Sequence, residues 1–386
     1  MAVPRQSDVP TFVAPVDAQL DYVPGQIVVR VHERVREPFD FLERTAGAHT
    51  IESLDGELTI VALDDRALSR ELLRTVESSP AIAFAERVPA RWLSEASSGV
   101  DPRHNRQWGL RAIRWFDTER PAADEVTVVV CDTGVDAGHP DLAGVIASYD
   151  HEGASAADII GHGTHVSGII GARPDDAAGV AGVASCRVAM WKVLPDAPVQ
   201  GNFYVDGTRF LRALNAVATS GAKVLNLSLG GTQSSQAEQL LFDRLERAGV
   251  TVVAAMGNEH DHGNPIEYPA AYDHVLAVGA IAETNRRSPF SNTGRHIGLA
   301  APGSNILSTL PTEPSPYRLD TGYASWSGTS MATPHVAAAA ALVAAQHPDW
   351  SPADVKDHLR KTAAGTGFTP EYGDGVLDIT ALLAAD

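Results

Sequence analysis

Cysteine is nearly absent from this 386-residue chain, which carries only Cys131 and Cys186. Two thiols cannot make the disulfide framework that stands in for a hydrophobic core, and no C-x-x-C pair offers a metal ligand set. Cys131 ends a run of valines and reads as a small buried hydrophobe, with one Cys131–Cys186 disulfide as the alternative. Positive charge is also short: 30 Lys and Arg against 48 Asp and Glu leave a formal net charge of −18. A surface of that sign repels phosphate backbones and anionic lipid, so neither nucleic acid nor a membrane is expected as partner. The longest apolar run, Val336 to Ala345, is alanine-rich and about half of the roughly 20 residues a bilayer span needs, so it reads as a buried helix. The first twenty residues lack a basic stretch followed by an apolar one of secretory-leader length, which favours the cytoplasm. What is present is ample core material, 44% hydrophobic residues, enough for one large and one small domain in a soluble monomer.

Residues 1–19 mix proline and polar residues without periodicity and are expected to form a flexible tail. From there to residue 93 the pattern becomes regular. GQIVVRV reads as a strand, PFDFLERTAG as a helix, HTIESLDGELTIVAL as two strands meeting at Asp55-Gly56, RALSRELLRTVES as a second helix, and AIAFAERV as a last strand. That order, β-α-β-β-α-β, is the arrangement of a small ferredoxin-like α+β domain. A polar stretch, residues 94–107, then reads as an exposed linker. Over residues 108–386 the near-continuous apolar segments EVTVVVCDTG, CRVAMWKVL, KVLNLSLGG, VTVVAAMGN and HVLAVGAI alternate with helical or loop segments. Strands buried on both faces predict an α/β domain with a parallel sheet and helices on both faces.

In such sheets reactive residues gather where strands end and loops lead into helices. Asp132 follows the strand VTVVVC, His162 sits in GHGTHVSG, and Ser330 sits in SGTSMATPHVA at the start of the alanine-rich helix. Acyl transfer needs a nucleophile, a base in hydrogen-bond reach, and a carboxylate that fixes the base's tautomer. A serine at a helix start also has unpaired backbone N–H groups and a positive dipole end near a developing oxyanion.

The segments VVVCDTGVDAGHPDL, GHGTHVSGIIG, VLNLSLGG, AAMGNE and GTSMATPHVAAAAAL resemble, in this order, the blocks of subtilisin-like serine proteases, and the order Asp, His, Ser is that of subtilisin. The resemblance spans about residues 105 to 383. It implies a subtilisin-like fold and a serine endopeptidase needing no cofactor for its chemistry. Ser330 would be the nucleophile, His162 the base, Asp132 its orienting carboxylate and Asn258 the oxyanion-hole amide. His165, three residues past His162, reads as a packing histidine. Ser228, Leu229, Gly230 and Gly231 are similar to one wall of the family's substrate groove, and Gly201 with its neighbours falls near the opposite edge.

Glu267 departs from the family. It precedes Tyr268-Pro269, where the floor of the primary pocket commonly has a small residue. A carboxylate in the pocket would favour Lys or Arg before the cut bond, whereas a loop glutamate pointing to water would not. Asp141 resembles a calcium ligand of the family, and Asp175 and Asp176 occupy the place of a second ligand-bearing loop, so the resemblance raises a structural Ca²⁺. Residues 20–93 resemble the family's inhibitory prosegments. A prosegment of this kind would assist folding, leave its end in the groove, and be cut between about Arg91 and Ser98. Its uncut retention, a catalytically silent peptide-binding scaffold, and secretion by family habit are the alternatives.

Overall fold

The structure, a computed structural model, describes residues 22–31, 49–53, 58–62, 82–89, 92–93, 96–97, 107–174, 179–199 and 202–385. Its first strands are β1 (Tyr22–Val31), β2 (His49–Ser53), β3 (Leu58–Ala62) and β4 (Ile82–Pro89). They form one antiparallel sheet in the order β2-β3-β1-β4. All four expected N-terminal strands are present. The two expected helices and the Asp55-Gly56 turn lie outside the described residues, as does the expected tail. Two short strands follow: β5 (Trp92–Leu93), at the end of the segment expected to be a prosegment, and β6 (Ala96–Ser97), inside the segment expected to be a linker.

The main sheet has seven strands: β7 (Ala123–Asp132), β8 (Ile146–Asp150), β9 (Cys186–Lys192), β10 (Val224–Leu227), β12 (Thr251–Ala255), β13 (Val275–Ile281) and β14 (Ile297–Pro302). They run parallel in the order β14-β13-β12-β10-β7-β9-β8. Successive side chains of a strand point to opposite faces. On β7, Val126, Val128 and Val130 enter one core while Val129 and Cys131 enter the other. Both faces are therefore apolar, which is why the valine run shows no alternation.

Helices α1 (His162–Gly171), α2 (Gly207–Val217), α3 (Gln236–Arg247), α4 (Thr329–Gln346) and α5 (Pro352–Lys361) cover these faces. The residues Phe210 and Phe242, from α2 and α3, share the Cys131 core, and that core also takes Val28, Leu58, Ile60 and Val88 from the N-terminal sheet. Val166 of α1, the alanines of α4 and Val355 of α5 fill the other. Cys131 and Cys186 belong to opposite cores and are free, so the disulfide alternative is overturned. Burial pushes both thiols up, Cys186 to about 12, which leaves them inert hydrophobes.

The alanine run lies within α4 as expected. Alanine allows close approach at no rotamer cost, and every residue from Thr329 to Ala344 is buried. Pro334 lies inside this helix. It has no N–H to give the Ser330 carbonyl four residues earlier. The Ser228 hydroxyl, at the end of β10, donates to that carbonyl instead at 2.9 Å. A hairpin of β15 (Ile306–Thr309) and β16 (Tyr323–Ser327) leads into α4, and the two-residue strand β11 (Leu229–Gly230) follows β10. No helix among the described residues is long and apolar enough to cross a membrane.

Candidate active site

Asp132 is the last residue of β7 and His162 the first of α1. A Cβ on Gly163 would lie 2.1 Å from the Gly134 carbonyl oxygen, so only glycine lets the first turn of α1 press against the loop leaving β7. His162 Nδ1 then sits 2.8 and 3.0 Å from the two Asp132 carboxylate oxygens, with neither side chain exposed. A carboxylate only accepts here, so Nδ1 carries the proton and Nε2 is the basic nitrogen. The Thr133 N–H donates to Asp132 Oδ1 at 2.7 Å and holds the carboxylate in place.

Ser330 occupies the first turn of α4. Its hydroxyl donates to the Ser228 carbonyl at 3.0 Å, while the Ser228 hydroxyl accepts from Asn226 Nδ2 at 3.0 Å. For attack, the Ser330 proton must turn from that carbonyl towards His162. Asn258 Oδ1 accepts from the Thr329 N–H at 2.9 Å and from the Thr329 hydroxyl at 3.0 Å. The backbone N–H can only donate, so this contact fixes which end of the amide is oxygen. The Asn258 Nδ2 left on the other side is buried without a hydrogen-bond partner, a donor held ready for an acceptor that arrives later.

His165 packs as expected. Its ring stacks on Trp326 at 4.9 Å, its Nε2 lies 3.1 Å from the Ala324 carbonyl, and burial pushes its pKa down to about 3. Such a weak base does not compete with His162.

Of the expected wall residues, Ser228 lies against Ser330, its carbonyl and hydroxyl both bonded to that residue. The Leu229 side chain is in the core, so this residue can meet a substrate only through its backbone. Gly231 and Tyr268 exchange backbone hydrogen bonds of 2.9 and 2.8 Å, which brings Glu267 against the wall. Glu267 is 4% exposed, which overturns the reading of a loop glutamate pointing to water. Its Oε2 lies 2.6 Å from where a Cβ on Gly230 would stand, and its Oε1 2.1 Å from one on Gly257. Asn292 Nδ2 donates to Oε1 at 3.0 Å. The carboxylate thus sits between two glycine backbones, one beside Ser228 and one beside Asn258. Gly201 lies outside the described residues; nearby, Phe203 is buried edge-on against Tyr317 at 5.0 Å.

In the described part of the expected calcium site the Asp141 carboxylate is engaged by protein donors. Asp141 is fully buried, and its oxygens accept from the Val180 N–H at 2.8 Å and the Tyr323 hydroxyl at 2.9 Å. A Cβ on Gly179 would stand only 1.9 Å from Oδ2, so backbone closes that side as well. Among the described residues no group of three or more His, Cys, Asp or Glu is placed to hold a metal. Asp175 and Asp176 lie outside the described residues.

Three residues near this site escape a reading of the sequence: Asn292, Thr133 and Asp158. Only Asp158 left a signal, a lone acid before two isoleucines in ADIIGHGTH, four residues ahead of His162.

The subtilase family model matches residues 123–375. A subtilisin of Bacillus pumilus is 38% identical over 261 residues, covering 66% of this chain and 90% of that protein. An alkaline protease of Shouchella clausii is 35% identical over 358 residues, 88% of this chain and 89% of that one. Among solved structures, fervidolysin from Fervidobacterium pennivorans, a keratinolytic enzyme related to subtilisin, superposes with a TM-score of 0.82 at 25% identity, over 95% of this chain and 62% of that one. The hydrogen-bonded Asp132–His162 pair, the serine at the start of α4 and the matched blocks therefore have one common account: the chain belongs to the subtilase family of serine proteases.

Proposed function

We propose that the chain is a serine endopeptidase made as a self-inhibited zymogen, with residues 20–93 as prosegment, 94–107 as linker and 108–386 as the peptidase. The observation that carries this reading is the path of the chain itself. Trp92 and Leu93 pair antiparallel with Gly230 and Leu229, and Ala96 and Ser97 pair antiparallel with Ser327 and Trp326. Two short strands close together in sequence thus add themselves to β11 and to β16, as a bound peptide would. Pairing of one chain segment with both β11 and β16 suits the cutting of a bond within a chain. Autocleavage is proposed between about Arg91 and Ser98, the window that holds both strands.

In the reaction the Ser330 oxygen attacks the carbonyl carbon and His162 Nε2 takes its proton. The oxygen that becomes negative is met by Asn258 Nδ2 and the Ser330 N–H. His162 then protonates the leaving amine as the C–N bond breaks, and water repeats the sequence on the acyl-enzyme. Asp132 holds the imidazole in place and stabilises the imidazolium that forms. No cofactor enters these steps, and no step is assigned to calcium. Glu267 on the pocket floor would pair with a Lys or Arg side chain before the cut bond.

A fluorophosphonate probe tests the enzyme reading. It should label the processed wild type and leave Ser330→Ala unlabelled and full-length. No labelling of either, even after removal of residues 1–93, would favour a silent peptide-binding scaffold.

A further inference from the structure

One buried carboxylate beside the triad has no part in the steps above. Asp158 is 4% exposed, in the segment before α1, and its oxygens accept four hydrogen bonds. On Oδ1 the donors are the Thr133 hydroxyl at 2.7 Å and the Gly161 N–H at 2.8 Å. On Oδ2 they are the Thr164 N–H at 3.0 Å and the Thr164 hydroxyl at 2.6 Å. Thr133 is the neighbour of Asp132, Gly161 the neighbour of His162, and Thr164 the third residue of α1. Both segments that meet at the Asp132–His162 pair are therefore tied to one carboxylate.

The tie has a direction. The Thr133 hydroxyl gives its proton to Asp158, which turns its lone pairs towards α1, and it accepts there from the Gly163 N–H at 2.9 Å. Helix α1 starts after Gly161, which has no side chain to cap it and whose φ is +97°. The orphan N–H groups of a first turn need acceptors. Asp158 serves the Thr164 N–H directly and the Gly163 N–H through Thr133. The cap of α1 is thus also the clamp between α1 and the end of β7.

We propose that Asp158 is a positioning residue for catalysis: through Thr133 and the first turn of α1 it holds His162 against Asp132 in the register that proton transfer requires. The proposal rests on the serine protease reading above. A displacement of about 1 Å in a catalytic group commonly costs on the order of 100-fold in rate, whereas binding in a groove remote from that group is left alone. Loss of the clamp should therefore appear in kcat and not in KM.

The test is peptide hydrolysis by processed enzyme, wild type against Asp158→Asn, Thr133→Val and Thr133→Ser. Asparagine keeps the shape but presents an NH₂ to donors, and valine removes the bridging hydroxyl while serine restores it. Asp158→Asn and Thr133→Val should lose about 10- to 100-fold in kcat with KM within about threefold, and Thr133→Ser should stay near wild type. Should Asp158→Asn not fold, the Thr133 pair decides alone. A kcat within twofold of wild type in the variants that fold, or an equal loss in Thr133→Val and Thr133→Ser, would overturn the proposal. Wild type that neither hydrolyses peptide nor takes the fluorophosphonate probe would overturn the protease reading instead.

Discussion

The catalytic end of the sheet and the strands lying across it are held in different ways. At the candidate triad, residues from distant segments lock one another through bonds that each use at least one side chain: His162 to Asp132, Ser330 to the Ser228 carbonyl, the Thr329 N–H to Asn258, all buried or partly buried. The two short strands β5 and β6 are held by two backbone pairs on β11 and two on β16, contacts that almost any extended peptide can make, while the sheet before them adds Val28, Leu58, Ile60 and Val88 to the Cys131 core. The N-terminal sheet has specific polar anchors among the described residues: Glu86 on β4 accepts from the Ser235 hydroxyl at 2.5 Å and from the Gln236 and Ala237 N–H groups at 3.0 and 2.9 Å, and the Tyr22 hydroxyl on β1 donates to Gln233 Oε1 at 3.3 Å. The candidate triad is fixed by contacts particular to its side chains, whereas β5 and β6 pair through backbone.

Removing a group from the locked end should have the largest effect. Asn258→Ala deletes the unpartnered amide donor, and kcat should fall about 100- to 1,000-fold, or about 2.7–4 kcal/mol of barrier, a magnitude taken from subtilisin itself. Steady-state kinetics on processed enzyme reads this directly, and a loss below about tenfold would mean that Asn258 does not face the oxyanion.

The pocket comes next. Charge-assisted hydrogen bonds contribute roughly 1.5–3 kcal/mol, so Glu267 should raise kcat/KM for Arg and Lys substrates over Leu and Phe ones by about 10- to 100-fold. Glu267→Ala should abolish or reverse that preference while fluorophosphonate labelling persists. Equal or lower turnover of the basic substrates, unchanged in Glu267→Ala, would show the carboxylate to be structural, held by Asn292.

At the N-terminal sheet the effect is smaller. Glu86 sits at the N-terminus of α3, where a carboxylate adds to capping and to the helix dipole, and its loss should cost about 1 kcal/mol. In the uncut Ser330→Ala chain, Glu86→Gln should speed limited proteolysis of the N-terminal region about fivefold, with the peptidase portion as resistant as before. Equal cleavage rates would move the anchor elsewhere, to the apolar contact of Val88 with Gly207 at the start of α2.

This division also explains what could be read from the sequence. The strands ending at Asp132, Leu227 and Ala255 are valine- and leucine-rich and buried on both faces, so their composition announces them. The edge strand β8 was not anticipated because it is short and half exposed, and β14 because glycine and proline interrupt its apolar run. The triad was legible because each member sits in a motif with its neighbours. The partners of those residues were not: Asp158 and Asn292 act through contacts to chain positions 25 residues away. The burial of Glu267 depends on the pairing of Gly231 with Tyr268, which no local pattern encodes. The calcium expectation shows the same limit, since Asp141 keeps the family's residue while Tyr323, 182 residues away, takes one of its oxygens.

That last contact gives the smallest expected effect, and it is informative because it is near zero. A cation bound at 100 times its dissociation constant stabilises the folded state by about 2.7 kcal/mol, which in a domain of this size moves the thermal midpoint by several degrees. Asp141 instead spends its acceptors on Val180 and Tyr323, with the backbone at Gly179 closing the approach. EGTA should therefore leave the midpoint within about one degree of its value in millimolar Ca²⁺, whereas Tyr323→Phe, which deprives a fully buried carboxylate of a donor, should destabilise the fold in either buffer by the roughly 1–3 kcal/mol typical of such a loss. A fall of several degrees in EGTA alone would place a cation beside Asp175 and Asp176, and would mean that the hydroxyl of Tyr323 turns away when the metal arrives.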